Sequence, residues 1–321
     1  MSSRIESFDH GIFAIDTNYV RSQLDASHLI LSCGHAAFVD TGVASSVPHL
    51  LAALDTLGIR RDQVDYVLLT HVHLDHAGGA GLLMQSLPQA RAVVHPRGAR
   101  HMIDPAKLIA GSIAVYGEQK FRELYGEIVP IAESRVLESA DGMRLQLGVR
   151  DLEFIHTPGH ASHHYCIHDQ EASSIFSGDT FGISYREFDT ARGAFIFPTT
   201  TPVQFDPSDL HASINRLMTY QPEAMFLTHY SRVSDVARLA GDLHADLDTF
   251  VEIARSAGAG PDSGPQIRKS MYEHLEGRLA RHGVRLSATQ IHDVLALDVD
   301  LNAQGLEFWL HKQTRQPHGG G

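Results

Sequence analysis

The chain has 321 residues, of which 43% are hydrophobic and 20% charged, a composition typical of a globular protein with an ample core. Its formal net charge of −12 predicts no general affinity for nucleic acid, because nucleic-acid binding normally requires a basic surface. The chain has no uninterrupted apolar stretch long enough to span a membrane and no signal-peptide core at its start. We therefore expect a cytoplasmic protein without a membrane partner.

The numbers of cysteine and histidine residues further limit the chemistry that we expect of the protein. Only two cysteines occur, Cys33 and Cys166, and each lies in an apolar, strand-like segment. This placement predicts two buried free thiols rather than a disulfide framework. Histidine is abundant, with 22 in the chain, and this count directs attention to metal binding.

The first part of the chain alternates between predicted strands and helices. Short segments rich in β-branched or aromatic residues predict strands at 11–15, 27–32, 35–39, 65–69 and 92–94. Apolar residues at helical spacing predict helices at 47–57, 80–87 and 104–126.

The second part begins with strands and ends with helices. Strands are predicted at 143–147, 152–156, 164–167, 174–176 and 224–227, with one helix at 207–220. From about residue 233 the pattern is helical, interrupted by a Gly/Pro-rich linker at 257–265. This order predicts two sheets with helices on their outer faces. We expect a catalytic domain at 1–232 and a helical C-terminal extension at 233–321.

Acidic and imidazole side chains follow the C-terminal ends of four predicted strands. His71, His160, Asp179 and His229 each lie a few residues beyond such an end. Loops at strand ends can bring ligands together while the strands hold them in position. The four residues are therefore candidate metal ligands.

The sequence THVHLDHAGG at 70–79 adds His73, Asp75 and His76 to His71. Three imidazoles and a carboxylate packed together without a cation would be electrostatically unfavourable, so a metal site is favoured over a structural role. Nitrogen and carboxylate ligands without a thiolate suit zinc, and they also accept iron or manganese.

These residues together resemble the signature of the metallo-β-lactamase-fold hydrolases over roughly residues 10–232. The matched residues are His71, His73, Asp75, His76, His160, Asp179 and His229. The resemblance implies an α/β fold, the four-layer αββα sandwich of the metallo-β-lactamase type, here with a C-terminal helical extension. Asp40-Thr41-Gly42 resembles the family's short strand-end motif that supports the site.

The resemblance also implies two divalent metal ions, with zinc expected first and iron or manganese as alternatives. One ion would be bound by His71, His73 and His160. The other would be bound by Asp75, His76 and His229. Asp179 would bridge the two ions.

The implied activity is that of a binuclear metal-dependent hydrolase, in which a metal-bridging hydroxide attacks a small acyl substrate. Asp75 would also accept a proton from the attacking water. Thr157-Pro-Gly-His160 and the helical C-terminal region resemble glyoxalase II, which favours a thioester as substrate. A lactone, another small ester and a phosphodiester are alternatives.

Differences from the signature residues of other branches of the family reduce the number of expected functions. Ser177-Gly-Asp179 carries aspartate where the best-known zinc β-lactamases have cysteine, and His73 stands where the flavin-partnered di-iron branch has glutamate. Two alternatives outside hydrolysis stay open. One is a mononuclear-iron sulfur dioxygenase, and the other is a ligand sensor without turnover.

The segment 180–202 combines aromatic residues with arginines directly after Asp179. We expect it to line the substrate pocket, with Tyr185 as a catalytic oxyanion donor; a β-extension packed on the core is the alternative. The C-terminal helices would cap the site, contact a second copy in a homodimer, or only cover the sheet.

Overall fold

The computed structural model describes residues 4–315, which form two compact units. The sheet unit comprises residues 4–156, 163–178 and 221–234. The helical unit comprises residues 157–162, 179–220 and 235–315. No helix of the described chain is long and apolar enough to cross a membrane.

The sheet unit contains a first sheet of seven strands that lie side by side in sequence order. The strands are β1 (Ile5–Phe8), β2 (Ile12–Asp16), β3 (Ala26–Ser32), β4 (His35–Val39), β5 (Val64–Leu68), β6 (Arg91–Val94) and β7 (Val136–Glu138). The first four pair antiparallel, whereas β4 to β7 pair parallel. Parallel neighbours need a crossover connection, and helices occupy these connections.

Six helices of the sheet unit lie in those crossovers. They are α1 (Val47–Leu57), α2 (Leu74–Ala77), α3 (Ala80–Gln85), α4 (Pro96–Ile103), α5 (Ala106–Tyr116) and α6 (Glu118–Tyr125). Helix α1 ends at Gly58, whose φ of 68° is the left-handed conformation that glycine adopts most readily.

The second sheet of the same unit has six strands in the order β13-β12-β11-β10-β9-β8. They are β8 (Arg144–Leu147), β9 (Arg150–His156), β10 (Tyr165–Asp169), β11 (Ser174–Gly178), β12 (Ala224–Leu227) and β13 (Ser231–Val233). Only β11 and β12 pair parallel. Their carboxyl ends therefore lie at the same edge, where Thr228 and His229 follow β12.

Two apolar clusters hold the sheet unit together. One joins the facing sides of the two sheets and includes Val39, Leu68, Phe154 and Phe176. The other lies between the first sheet and its helices and includes Phe38 and helix residues such as Leu50. Burial of apolar surface on both faces of the first sheet is the main stabilisation of this unit.

His28 is buried in the cluster between the sheets. Its ring lies 5.5 Å from that of Phe176 and 5.4 Å from that of Phe226, measured between centroids. Its Nε2 is buried without a hydrogen-bond partner among the described residues. Burial lowers the pKa of His28 from 6.5 to about 4, against the smaller effect of Asp40, because the charged ring loses its hydration.

We expect this histidine to make stability depend on pH. Because its pKa is lower in the folded protein, its contribution is complete above pH 6.5 and is lost as the pH falls towards 4. The free energy of unfolding should fall by about 2 kcal/mol more between pH 7 and pH 5 in the parent than in His28→Phe. Denaturant unfolding at both pH values measures this difference, and equal pH dependence would contradict it.

The helical unit contains four helices and the segment 179–206. The helices are α7 (Pro207–Met218), α8 (Val236–Ala257), α9 (Ser263–His282) and α10 (Ala288–Arg315). Asp206 caps α7 by accepting hydrogen bonds from the backbone nitrogens of Ser208 and Asp209. Buried faces of α8 and α9, including Leu243, Phe250 and Met271, supply its core.

The structure confirms the α/β fold with two sheets and a helical C-terminal region, and it corrects details. Strands β1, β7 and β13 and helices α2 and α4 were not predicted. The predicted linker at 257–265 is shorter, because Ser263, Gly264 and Pro265 form the first turn of α9, where proline is tolerated. The prediction of burial for Cys33 is wrong: it is exposed in the turn between β3 and β4, whereas Cys166 is buried, and the two cysteines form no disulfide bond.

Candidate metal centre

The histidine-rich motif lies where β5 ends and α2 begins. Strand β5 stops at Leu68, and His73 is the N-cap residue of α2. His71 and His76 are fully buried, while Asp75 keeps 27% of its side chain exposed. The turn from strand to helix therefore places the candidate ligands of 71–76 within one short segment.

The imidazoles of this segment lie in contact. His71 Nε2 is 2.9 Å from His73 Nδ1, and the ring centroids of His71 and His76 are 4.0 Å apart. Two ring nitrogens at such a distance either share a proton or face a common cation.

Asp75, His76 and His229 form a candidate metal-binding group within the sheet unit. One ligand atom from each residue lies within 4.8 Å of the others. The Asp75 carboxylate is 3.9 Å from Nε2 of His76 and 3.7 Å from Nε2 of His229. Two imidazole nitrogens and one carboxylate oxygen are a donor set that divalent zinc accepts, so the residues fit a cation.

Asp40, at the end of β4, orients this group. It is buried and accepts a hydrogen bond from Nδ1 of His76 at 2.8 Å. It also accepts bonds from the backbone nitrogen and hydroxyl of Thr70, each at 2.8 Å, and from the hydroxyl of Thr228 at 2.8 Å. A carboxylate on Nδ1 leaves Nε2 of His76 as the atom available to a metal.

His229 is oriented in a similar way by the backbone. Its Nδ1 lies 3.0 Å from the carbonyl oxygen of Leu24, and a ring nitrogen facing a carbonyl donates the hydrogen bond. Nε2, on the side facing Asp75, is then the unprotonated nitrogen that metal binding requires.

His160 and Asp179 belong to the helical unit, where they lie together. His160 Nε2 is 3.5 Å from an Asp179 carboxylate oxygen, and both side chains are buried. The hydroxyl of Thr199 is 3.4 Å from Nδ1 of the same histidine. An imidazole and a carboxylate at this separation can both bind one metal ion.

Tyr185 is buried in the helical unit. Its hydroxyl donates to the carboxylate of Asp298 on α10, at 3.0 and 3.1 Å from the two oxygens. The predicted role as an oxyanion donor stays a prediction, and it requires the phenol to exchange this hydrogen bond for one to the substrate.

Several neighbours of the candidate ligands were not predicted from the sequence. The ring centroids of His163 and His164 lie 6.2 and 4.8 Å from that of His71. Both histidines directly precede β10. Leu24 and Thr228 carry no motif, and only their contacts reveal their roles.

Asp25 is a further buried neighbour without a sequence signal. Burial raises the pKa of its carboxyl group to about 7, partly offset by the nearby His229 and His76. Its side chain accepts a hydrogen bond from the hydroxyl of Thr17 at 3.3 Å. The loop between β2 and β3 therefore brings the carboxyl group of Asp25, in addition to those of Asp40 and Asp75, close to His76 and His229.

Comparison with known proteins assigns the family. A family model described as the metallo-beta-lactamase superfamily matches residues 26–229. The metallo-beta-lactamase fold-containing protein ST1585 of Sulfurisphaera tokodaii is 26% identical over 251 residues, which cover 76% of this chain and 87% of that protein. Its solved structure superposes with a TM-score of 0.62 at 20% identity and covers 92% of this chain and 98% of its own.

Two further relatives are hydrolases by name. The acyl-coenzyme A thioesterase MBLAC2 of Gallus gallus is 28% identical over 199 residues, or 55% of this chain and 67% of that protein. A hydroxyacylglutathione hydrolase of Aeromonas hydrophila is 30% identical over 189 residues, or 59% of this chain and 54% of that protein. Because the family model matches residues 26–229, more than half of the chain, the chain belongs to the metallo-beta-lactamase superfamily of metal-dependent hydrolases.

Proposed function

We propose that this protein is a binuclear metal-dependent hydrolase of a small acyl substrate, with a thioester as the preferred class. The observation that carries the proposal is the group Asp75, His76 and His229, held by hydrogen bonds from its imidazoles to Asp40 and Leu24. Hydrogen bonds that orient metal-binding histidines in this way are characteristic of functional metal sites.

The proposed ligand set comprises the seven residues of the family signature. His71, His73 and His160 would hold one cation, Asp75, His76 and His229 would hold the other, and Asp179 would supply a carboxylate to both. The support comes from the family match over residues 26–229 and from the pairing of His160 with Asp179. Zinc is the proposed metal, because all seven residues offer nitrogen or carboxylate oxygen and none offers a thiolate.

Bound divalent cations supply Lewis-acid polarisation of a carbonyl group and lower the pKa of water. The residues of the chain supply orientation and proton transfer. Asp40 and the Leu24 carbonyl keep each imidazole in one tautomer. Asp75, the most exposed of its group, can accept a proton from the attacking water while remaining beside His229.

The thioester class is supported by the relatives. One is named for the hydrolysis of acyl-coenzyme A and another for that of hydroxyacylglutathione, and both substrates are thioesters of small carriers. The net charge of −12 fits a small-molecule substrate better than a nucleic acid.

Metal analysis combined with a substrate panel tests the proposal. We expect two metal ions per chain, and hydrolysis of thioesters faster than that of lactones, simple esters or phosphodiesters. Chelation should abolish activity, and zinc should restore it. One iron per chain with oxygen uptake, or two metals with no hydrolysis of any substrate, would overturn the proposal.

A matched pair of variants separates metal loss from general damage. His76→Gln removes a proposed ligand, whereas His35→Gln changes a surface histidine that also pairs with an aspartate, Asp65, at 2.7 Å. Only His76→Gln should lose metal and activity. Equal behaviour of the two variants would contradict the assignment of His76.

A further inference from the structure

Helix α5, residues 106–116, is rich in apolar residues, but its described side chains are either half-buried or exposed. Its sequence, AKLIAGSIAVY, has Lys107 as its one charged residue, yet none of its described side chains is fully buried. Leu108, Ile109 and Ile113 are half-buried and share one face with Tyr116, as their helical spacing requires. A helix face of adjacent apolar side chains that stays partly exposed is a candidate binding surface.

An aromatic cluster continues this face into the sheet unit. The ring of Tyr116 lies 5.8 Å from that of Tyr125, which lies 6.2 Å from that of Tyr19 and 5.6 Å from that of Phe121. The cluster thus joins α5, α6 and the loop between β2 and β3.

The loop between β2 and β3 connects this cluster to the candidate metal ligands. Burial raises the pKa of the phenols of Tyr19 and Tyr125, and the negative charge of Asp75 raises both further. The loop that carries Tyr19 also provides the Leu24 carbonyl that holds His229. One loop therefore contacts both the aromatic cluster beside α5, through Tyr19, and the proposed ligand His229, through Leu24.

The loop from 17 to 25 has the character of a binding loop. Asn18, Val20 and Gln23 adopt positive φ angles of 53°, 57° and 58°. For a β-branched residue such as Val20 this conformation is strained, and strain of this kind concentrates at functional sites. The side chain of Val20 is 60% exposed, which adds apolar surface beside Tyr19.

We propose that the half-buried face of α5, with Tyr116, Tyr125 and Tyr19, binds the apolar acyl chain of the substrate. The inference rests on the proposed thioester hydrolysis and specifies its substrate as a medium- or long-chain acyl thioester. The face carries no acidic side chain that would repel or select a charged acyl group. Eleven helical residues extend about 16 Å, a span suited to an extended alkyl chain.

A chain-length series tests the inference. We expect kcat/KM of the metal-loaded parent protein to rise about two- to fourfold per methylene group from acetyl to dodecanoyl thioesters of one carrier, because each buried methylene favours binding. The Ile113→Gln variant should lower the dodecanoyl-to-acetyl ratio about tenfold. The control is Ala110→Gln on the exposed side of the same helix, which should leave the ratio unchanged.

Each other outcome has a definite meaning. If the parent hydrolyses thioesters but shows no dependence on chain length, or if both variants change the ratio equally, the acyl-chain assignment is wrong while the proposed function stands. If no thioester of any length is hydrolysed, the proposed function itself fails. If light scattering shows a dimer that Ile113→Gln dissociates with the ratio unchanged, α5 covers a second copy of the chain and the inference is overturned.

Discussion

Replacement of Asp40 by asparagine is expected to lower metal affinity and hydrolytic activity about 10- to 100-fold in a folded protein. Asp40 accepts hydrogen bonds from His76, Thr70 and Thr228, and an amide has only one oxygen for these donors. The NH₂ group would face a donor, which releases the His76 ring from its tautomer. Asparagine suits the backbone, because φ is 56° at this position and asparagine tolerates positive φ.

The matched control is Asp65→Asn, which alters a carboxylate paired with a histidine on the surface. Metal content, kcat and thermal unfolding should all remain at parent values in this variant. Metal titration of both proteins distinguishes the roles. Parent-like metal affinity in Asp40→Asn would show that the orientation of His76 does not depend on this carboxylate.

Replacement of Asp246 by alanine is expected to destabilise the helical unit by about 3 kcal/mol. Asp246 on α8 is buried, lies 2.7 Å from Nε2 of His274 and pairs with the guanidinium of Arg278, both on α9. Arg278 also donates to the carbonyl of Ile196 at 3.0 Å and lies over the ring of Phe195. Without the carboxylate, the largely buried guanidinium of Arg278 would lose its closest anionic partner, and the ring of His274 would lose its hydrogen-bond partner.

The expected loss lies at the lower end of the range for buried pairs, because Arg278 keeps Asp242 at 3.7 Å. Asp300→Ala is the control, since Asp300 pairs with Arg268 at 2.7 Å with both side chains well exposed. Its cost should stay below about 1 kcal/mol. Chemical denaturation measures both values, and equal costs would show that burial of Asp246 adds nothing.

Much of the architecture was predictable because its signals are local. Alternation and helical spacing reveal strands such as β4 and helices such as α1 within a few residues. Short elements such as β1 and β7 were missed, since three or four residues carry too little pattern. The exposure of Cys33 was missed because the apolar residues on both sides suggested burial, although Cys33 lies between the predicted strands 27–32 and 35–39.

The candidate site also has residues that the sequence predicts and residues that it does not. His71, His73, Asp75 and His76 are close in sequence, so one strand-to-helix turn brings them near one another whatever surrounds it. Asp40, Leu24 and Thr228 carry no such signal. Thr228 lies 188 residues from Asp40, and only the packing of two sheets makes them partners.

The sequence by itself therefore determined the two-sheet fold class and the candidate ligands, because periodicity and strand-end placement are properties of short segments. The tertiary structure alone decided which carboxylate orients His76, which carbonyl orients His229, and which tyrosines pack together beside α5. Those contacts depend on distant segments brought together by burial of the common core, and no local pattern encodes them.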